Sequence, residues 1–141
     1  MALISTKGLY GLAALYELFL SDHNKSLQIK DIATRANIPQ NYLEQILVLL
    51  KKADFVKSTR GVNGGYMLAK SPKMIFIKDI FLTLEGDIGV VDAHNSNAVL
   101  ESFYASSKKE LQEIFALSLY DLHKKYSKPK TPNATFSTFG L

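Results

Sequence analysis

The sequence predicts a mainly α-helical chain with one small β-hairpin and a long C-terminal helix, and three observations carry that prediction. Apolar residues recur at three- and four-residue steps through most of residues 4–50 and again through 98–126. Between these stretches, Phe55–Arg60 and Tyr66–Ala69 read as two short strands around the glycine-rich turn Gly61-Val62-Asn63-Gly64-Gly65. The 141 residues, 47% hydrophobic, suffice for one ordinary core and not comfortably for two.

Taken in order, Leu9, Leu12, Ala13, Tyr16, Phe19 and Leu20 predict an amphipathic helix from about Ile4 to Ser21. Asp22-His23-Asn24-Lys25 ends it. Ser26 is read as the cap of a short second helix that buries Leu27, Ile29, Ile32 and Ala33, and Asn37 marks a turn. Pro39 starts a third helix, since its missing N–H lacks an intrahelical partner in a first turn anyway. Leu43, Ile46, Leu47 and Leu50 share one stripe there, so Gln40, Asn41, Glu44, Gln45, Val48, Lys51 and Lys52 face the other way.

After the hairpin, Ser71-Pro72 closes the unit, and Ile77, Ile80, Phe81 and Leu84 predict a short helix stopped by Gly86. The division expected is 1–86 as one domain, 87–97 as a polar linker and candidate effector loop, 98–126 as one helix and 127–141 as a flexible tail with Phe136 and Phe139. A helix over 98–126 would run about 42 Å, longer than a small domain needs for its own core. Its apolar stripe therefore predicts dimerisation, with folding onto its own domain as the alternative.

Charge is unevenly placed. Net charge is +4, yet residues 1–75 hold ten Lys/Arg against five Asp/Glu and residues 76–141 seven against eight. Six of the cations (Lys51, Lys52, Lys57, Arg60, Lys70 and Lys73) surround the hairpin against Asp54 alone, the footprint of a phosphate binder. The order of elements is helix, tight turn, helix and then a glycine hairpin. On the third helix Gln and Asn suit adenine, Glu suits cytosine N4, and the lysines suit phosphates. Arg60, on a thin turn, suits the narrow minor groove.

Other chemistry finds little support. There is no phosphate loop followed by Lys-Ser/Thr, no metalloprotease helix and no serine elbow, so no enzyme and no catalytic residue is expected. Cysteine is absent, which removes disulfides, thiolate-held clusters and thiol redox chemistry. Asp92 and His94, with Asp87 or His123 nearby, are a thin metal candidate and are read as loop polarity, so no metal and no cofactor are expected. No run approaches a membrane span and the N-terminus lacks a signal-peptide pattern, so a cytoplasmic location is expected.

Ser5-Thr6-Lys7-Gly8-Leu9-Tyr10, Asp31-Ile32-Ala33, Ile38, Tyr42-Leu43-Glu44-Gln45 and Arg60-Gly61 through Gly64-Gly65-Tyr66 resemble the IscR/NsrR/CymR-type (Rrf2) family of bacterial winged helix-turn-helix regulators. The resemblance covers about residues 1–85. It implies a homodimer whose C-terminal helices cross, presenting two heads to a palindromic operator. By position it implies DNA contacts at Ser5, Thr6, Lys7, Gln40, Asn41, Tyr42, Glu44, Gln45, Arg60, Gly64, Gly65 and Tyr66. Several relatives hold an iron–sulfur cluster through three cysteines that this chain lacks. The implied precedent is a cluster-free repressor of cysteine metabolism controlled by a metabolic-enzyme partner, which leaves a protein partner or small-molecule effector as the switch. The alternative from the residues alone is a winged-helix protein–protein interaction module without specific DNA binding.

Overall fold

A computed structural model describes residues 2–21, 24–91 and 97–128. It contains α1 (Thr6–Leu20), α2 (Ile29–Ala36), α3 (Gln40–Lys52), β1 (Val56–Thr59), β2 (Gly65–Leu68), a 3-10 turn (Pro72–Met74), α4 (Ile77–Glu85), α5 (Ala98–Ile114) and α6 (Leu119–Tyr126). The strands are antiparallel, with Val56 opposite Leu68 and Thr59 opposite Gly65, one residue shorter at the outer ends than the sequence reading. No helix among the described residues is long and apolar enough to cross a membrane.

The core is the interior of the head. Leu15, Ile32, Leu43, Ile46, Leu47, Leu50, Val56, Ile75 and Ile80 are fully buried. The α3 and α4 stripes lie where periodicity placed them. Helix α1 does not: its buried face is Gly8, Gly11, Ala14, Leu15 and Leu18, while Leu9 and Leu20 of the expected stripe are exposed. The reason is steric. A Cβ on Gly11 would sit 2.1 Å from Leu84 Cδ1, so the small residues mark the side against which α4 is pressed. The larger residues Leu12, Ala13, Tyr16 and Phe19 line a second, half-buried face.

Ser26 is not the cap of α2. Gln28 occupies that place, and the Ser26 and Thr59 hydroxyls bond at 2.7 Å. Residue 27 is extended because the Leu27 and Tyr66 amides each donate to the other's carbonyl at 2.8 Å, adding a one-residue third strand to the hairpin. Asn37 turns the chain between α2 and α3 in the left-handed region (φ 55°), which Asn tolerates better than most residues. Pro39 stands just outside α3 as its N-cap, with its carbonyl accepting from Tyr42 and Leu43.

The helix expected over 98–126 is two helices. At Phe115–Ser118 the chain leaves the α5 path, because the Phe115 and Leu117 carbonyls accept from the Lys78 and Ile77 amides, orphan donors in the first turn of α4. The Leu119 amide donates to the Ile75 carbonyl at 2.8 Å, and Ser118 Oγ caps α6 by accepting from the Asp121 amide at 3.0 Å. Leu119 is wholly buried and the Phe81 and Phe115 rings meet edge-on at 5.0 Å, so α6 completes the head core. Helix α5, by contrast, buries none of its residues.

Candidate nucleic-acid interface

Gln40, Asn41, Glu44 and Gln45 are all exposed on the outer face of α3, held rigid by the four buried aliphatics opposite. Tyr42, beside them, is half-buried. Its ring stands edge-on to Tyr10 of α1 at 5.4 Å, tying the start of α3 to the first helix. At the other end of α3, Lys51 Nζ donates to Ser58 Oγ of β1 at 2.7 Å, so the hairpin is fixed to the same helix.

The hairpin tip is Arg60 to Gly64, closed by the Gly64 amide on the Gly61 carbonyl at 2.9 Å. Gly61 has φ 102° with open space around it, a conformation that suits glycine. Gly64 and Gly65 owe their small size to the protein itself. A Cβ on Gly64 would lie 2.6 Å from the Thr59 carbonyl oxygen, and one on Gly65 would lie 2.5 Å from that of Leu27. Tyr66 is half-buried, and its backbone is spent on Leu27. Both glycines thus pack closely against the protein's own backbone, while Arg60 and Val62 are exposed beyond the strands.

The six cations around the hairpin divide. Lys70 and Lys73 lie over the Phe55 and Tyr120 rings at 4.9 Å, and Lys51 is on Ser58. Lys52, Lys57 and Arg60 are exposed and, among the described residues, have no carboxylate within ion-pair distance. Unneutralised cations beside a polar helix face attract a polyanion.

The first turn of α1 presents Thr6, exposed, and Lys7, half-buried. Ser5 is committed internally. Its amide donates to both carboxylate oxygens of Glu85 (3.1 and 3.2 Å), its hydroxyl donates to Glu85 Oε1, and the Gly8 amide donates to the same oxygen at 3.0 Å. Burial pushes the Glu85 carboxyl up, but the bonds from Ser5 and Gly8 and the Lys7 charge outweigh it and hold the group below the usual carboxylate value. Sequence reasoning missed Glu85 altogether. Its only sequence signal is a lone Glu at a helix end before Gly86.

The thin metal candidate falls partly outside the described residues. Asp92 and His94 lie outside the described residues, Asp87 pairs with Lys108 at 2.7 Å, and His123 Nδ1 bonds the Tyr16 hydroxyl at 2.7 Å. Among the described residues no three His, Asp or Glu come together as a metal site. A cleft of about 450 Å³ opens at the start of the linker, bordered by Lys78, Asp87, Ile88, Lys109, Gln112 and Phe115.

An exposed polar helix after a tight turn, a basic hairpin anchored to it and one shared core define a winged helix-turn-helix DNA-binding regulator. Residues 4–124 match the sequence profile of the Rrf2 family, described as iron-dependent transcriptional regulators. The chain is 43% identical over 89 residues to the HTH-type transcriptional regulator CymR of Bacillus subtilis, covering 63% of this chain and 64% of that protein, just under two thirds of its length. The solved structure of CymR, the global cysteine regulator of B. subtilis, superposes with TM-score 0.81 at 34% identity, over 89% of this chain and 98% of that one. T. potens IscR superposes with TM-score 0.76 at 32% identity, over 94% and 96%. The chain belongs to the Rrf2 family of DNA-binding transcriptional regulators, and its relatives are regulators rather than enzymes.

An iron–sulfur cluster finds no thiolate ligands here. Iron–sulfur clusters are held mainly by thiolates, and the 141 residues contain no cysteine. The residues present do not fit such a cluster.

Proposed function

We propose that this chain is one subunit of a homodimeric, sequence-specific repressor that binds a palindromic operator and is switched without a cluster, by a metabolite or a protein partner. In this reading residues 1–86 bind DNA, with α6 completing their core. Gln40, Asn41, Glu44 and Gln45 read base edges in the major groove, Tyr42 and the backbone near Gly64, Gly65 and Tyr66 brace the contact, and Arg60 enters the minor groove. Thr6 and Lys7 take phosphates, with Ser5 held behind them on Glu85. The observation that carries the reading is the joint placement of the exposed α3 face and the unneutralised hairpin cations, anchored to each other through Lys51 and Ser58.

The dimer is supported by α5. Val99 is 76% exposed, Phe103 61% and Ile114 63%, on a 17-residue helix with no buried residue, about 25 Å of surface that water covers in a single chain. A particle of twice 15.7 kDa in sedimentation supports the assignment, and a stable monomer at micromolar concentration removes it. The switch belongs to the linker, residues 87–97, and the cleft beside it.

Selection of duplexes from a random pool by gel shift tests the function. Enrichment of one inverted repeat is expected, and recovery of unrelated sequences with only salt-sensitive binding sinks sequence specificity.

A further inference from the structure

We propose that Glu85 is a positioning residue for DNA binding: from the end of α4 its carboxylate clamps the first turn of α1, so that Thr6 and Lys7 meet the phosphate backbone from a fixed helix end. The inference rests on the assignment of that turn to DNA made above.

Helix α1 begins without a side-chain cap of its own, leaving its first amides as orphan donors. Glu85, eighty residues away in sequence, supplies the acceptor, taking both donors of Ser5 and the amide of Gly8. The fit is close, since a Cβ on Gly8 would lie 2.7 Å from Glu85 Oε1. An anion already sits at this helix end and takes the Gly8 amide, so a phosphate approaching the turn meets the Thr6 hydroxyl and the Lys7 ammonium beside a carboxylate. The Lys7 charge also favours the ionised form of Glu85, so the clamp and the cation belong to one electrostatic neighbourhood.

The clamp has a second side. Gly86 takes the chain out of α4 at φ 83°, and Asp87 then pairs with Lys108 of α5 at 2.7 Å. Residues 85 and 87 thus hold the DNA-facing turn of α1 and the candidate dimer helix from neighbouring positions. A shift of α5 relative to the head has a two-residue path to Thr6 and Lys7.

The test measures full-length Glu85→Ala, Glu85→Gln, Lys7→Ala and the double variant Glu85→Ala/Lys7→Ala by fluorescence anisotropy on the selected duplex, between about 50 and 200 mM salt. Glu85→Ala is expected to bind about 5- to 10-fold more weakly, with a log–log salt slope shallower by about 0.9, the loss of one phosphate contact. Glu85→Gln, which keeps one carbonyl acceptor, falls between. The double variant is expected to bind no more weakly than the worse single one, because both remove the same contact.

A folded Glu85→Ala protein that binds with wild-type affinity and slope, or more tightly, while Lys7→Ala is weakened overturns the role of Glu85. Wild-type binding by Lys7→Ala overturns the assignment of the α1 turn itself. If Glu85→Ala does not fold, Ser5→Ala carries the test. It removes only the hydroxyl donor, and about 2-fold weakening with a shallower slope is expected, whereas an unchanged slope in both Ser5→Ala and Glu85→Gln overturns the proposal.

Discussion

Helices α3 and α5 are both amphipathic in sequence, and they meet opposite fates. Helix α3 buries Leu43, Ile46, Leu47 and Leu50 in its own domain and shows water a face of Gln, Asn and Glu. Helix α5 buries nothing, and Val99 and Phe103 are exposed. The same periodic signal therefore has two outcomes, a core made within the chain and an apolar face left exposed in the single chain. What separates them is what flanks each helix. Short turns on both sides fold α3 against α1 and α2, whereas α5 follows the residue 87–97 segment and is pinned to the head near its C-terminal end.

The largest effect expected from breaking this contrast is in the head. Leu47→Ala opens a cavity in a fully buried site and is predicted to cost about 2–5 kcal/mol in denaturant unfolding. Phe103→Ala, of similar chemistry but 61% exposed, is predicted to leave the stability of the isolated subunit nearly unchanged and to lower dimer affinity instead, seen as a concentration-dependent mass in sedimentation.

Arg60→Ala sharpens the contrast between surfaces, since it touches no core. It is predicted to weaken binding to the selected duplex by about 1–3 kcal/mol with melting temperature unchanged. An unchanged affinity makes the hairpin tip a bystander.

A smaller effect is expected at the α5–α6 break. Ser118→Ala removes the α6 cap and should cost about 1 kcal/mol in thermal unfolding. An Ala at Ser107, whose hydroxyl bonds only the Phe103 carbonyl within α5, serves as the comparison and should cost less.

Acid provides a further probe of Glu85. A carboxyl whose folded pKa is lowered contributes stability above its ordinary value of 4.5, and that contribution is lost as pH falls through the lowered folded value. Glu85→Gln should therefore be less stable than the wild type at neutral pH, with the gap closing below about pH 4.5 in pH-resolved melts. A gap that stays constant with pH contradicts the clamp.

Much of the head was legible in the sequence because strong periodicity and turn residues agree there. Asn37 and the Gly61–Gly65 turn fall where local chemistry alone places them, and Pro39 sits one position before the helix it is expected to start. The family motif Lys7-Gly8-Leu9-Tyr10 is visible too, but the surroundings of its glycine are only partly so, because a Cβ on Gly8 would meet Glu85 Oε1, far off in sequence, at 2.7 Å as well as Ile4 Cγ2, one turn back, at 2.8 Å. The same blindness turned α1 by one face. Large residues suggest a core stripe, while Gly8, Gly11 and Ala14 mark where a neighbouring helix comes close.

At 98–126 the apolar spacing continues smoothly through the break, and what stops the helix is the need of the α4 amides for the Phe115 and Leu117 carbonyls. Ser118-Leu119-Tyr120-Asp121, with a hydroxyl three residues before an acid, resembles a capping box and was the one local hint. Ser26 misled in the converse way, as a good cap residue drawn into pairing with Thr59.

Footprinting of the selected duplex with the full chain tests the central claim most directly. A dimer reading DNA through α3 and Arg60 protects two major-groove half-sites about 10 bp apart, or a multiple of that, with the adjacent minor groove covered by the wild type and open with Arg60→Ala. A single protected half-site, or uniform protection that Arg60→Ala does not alter, would contradict it.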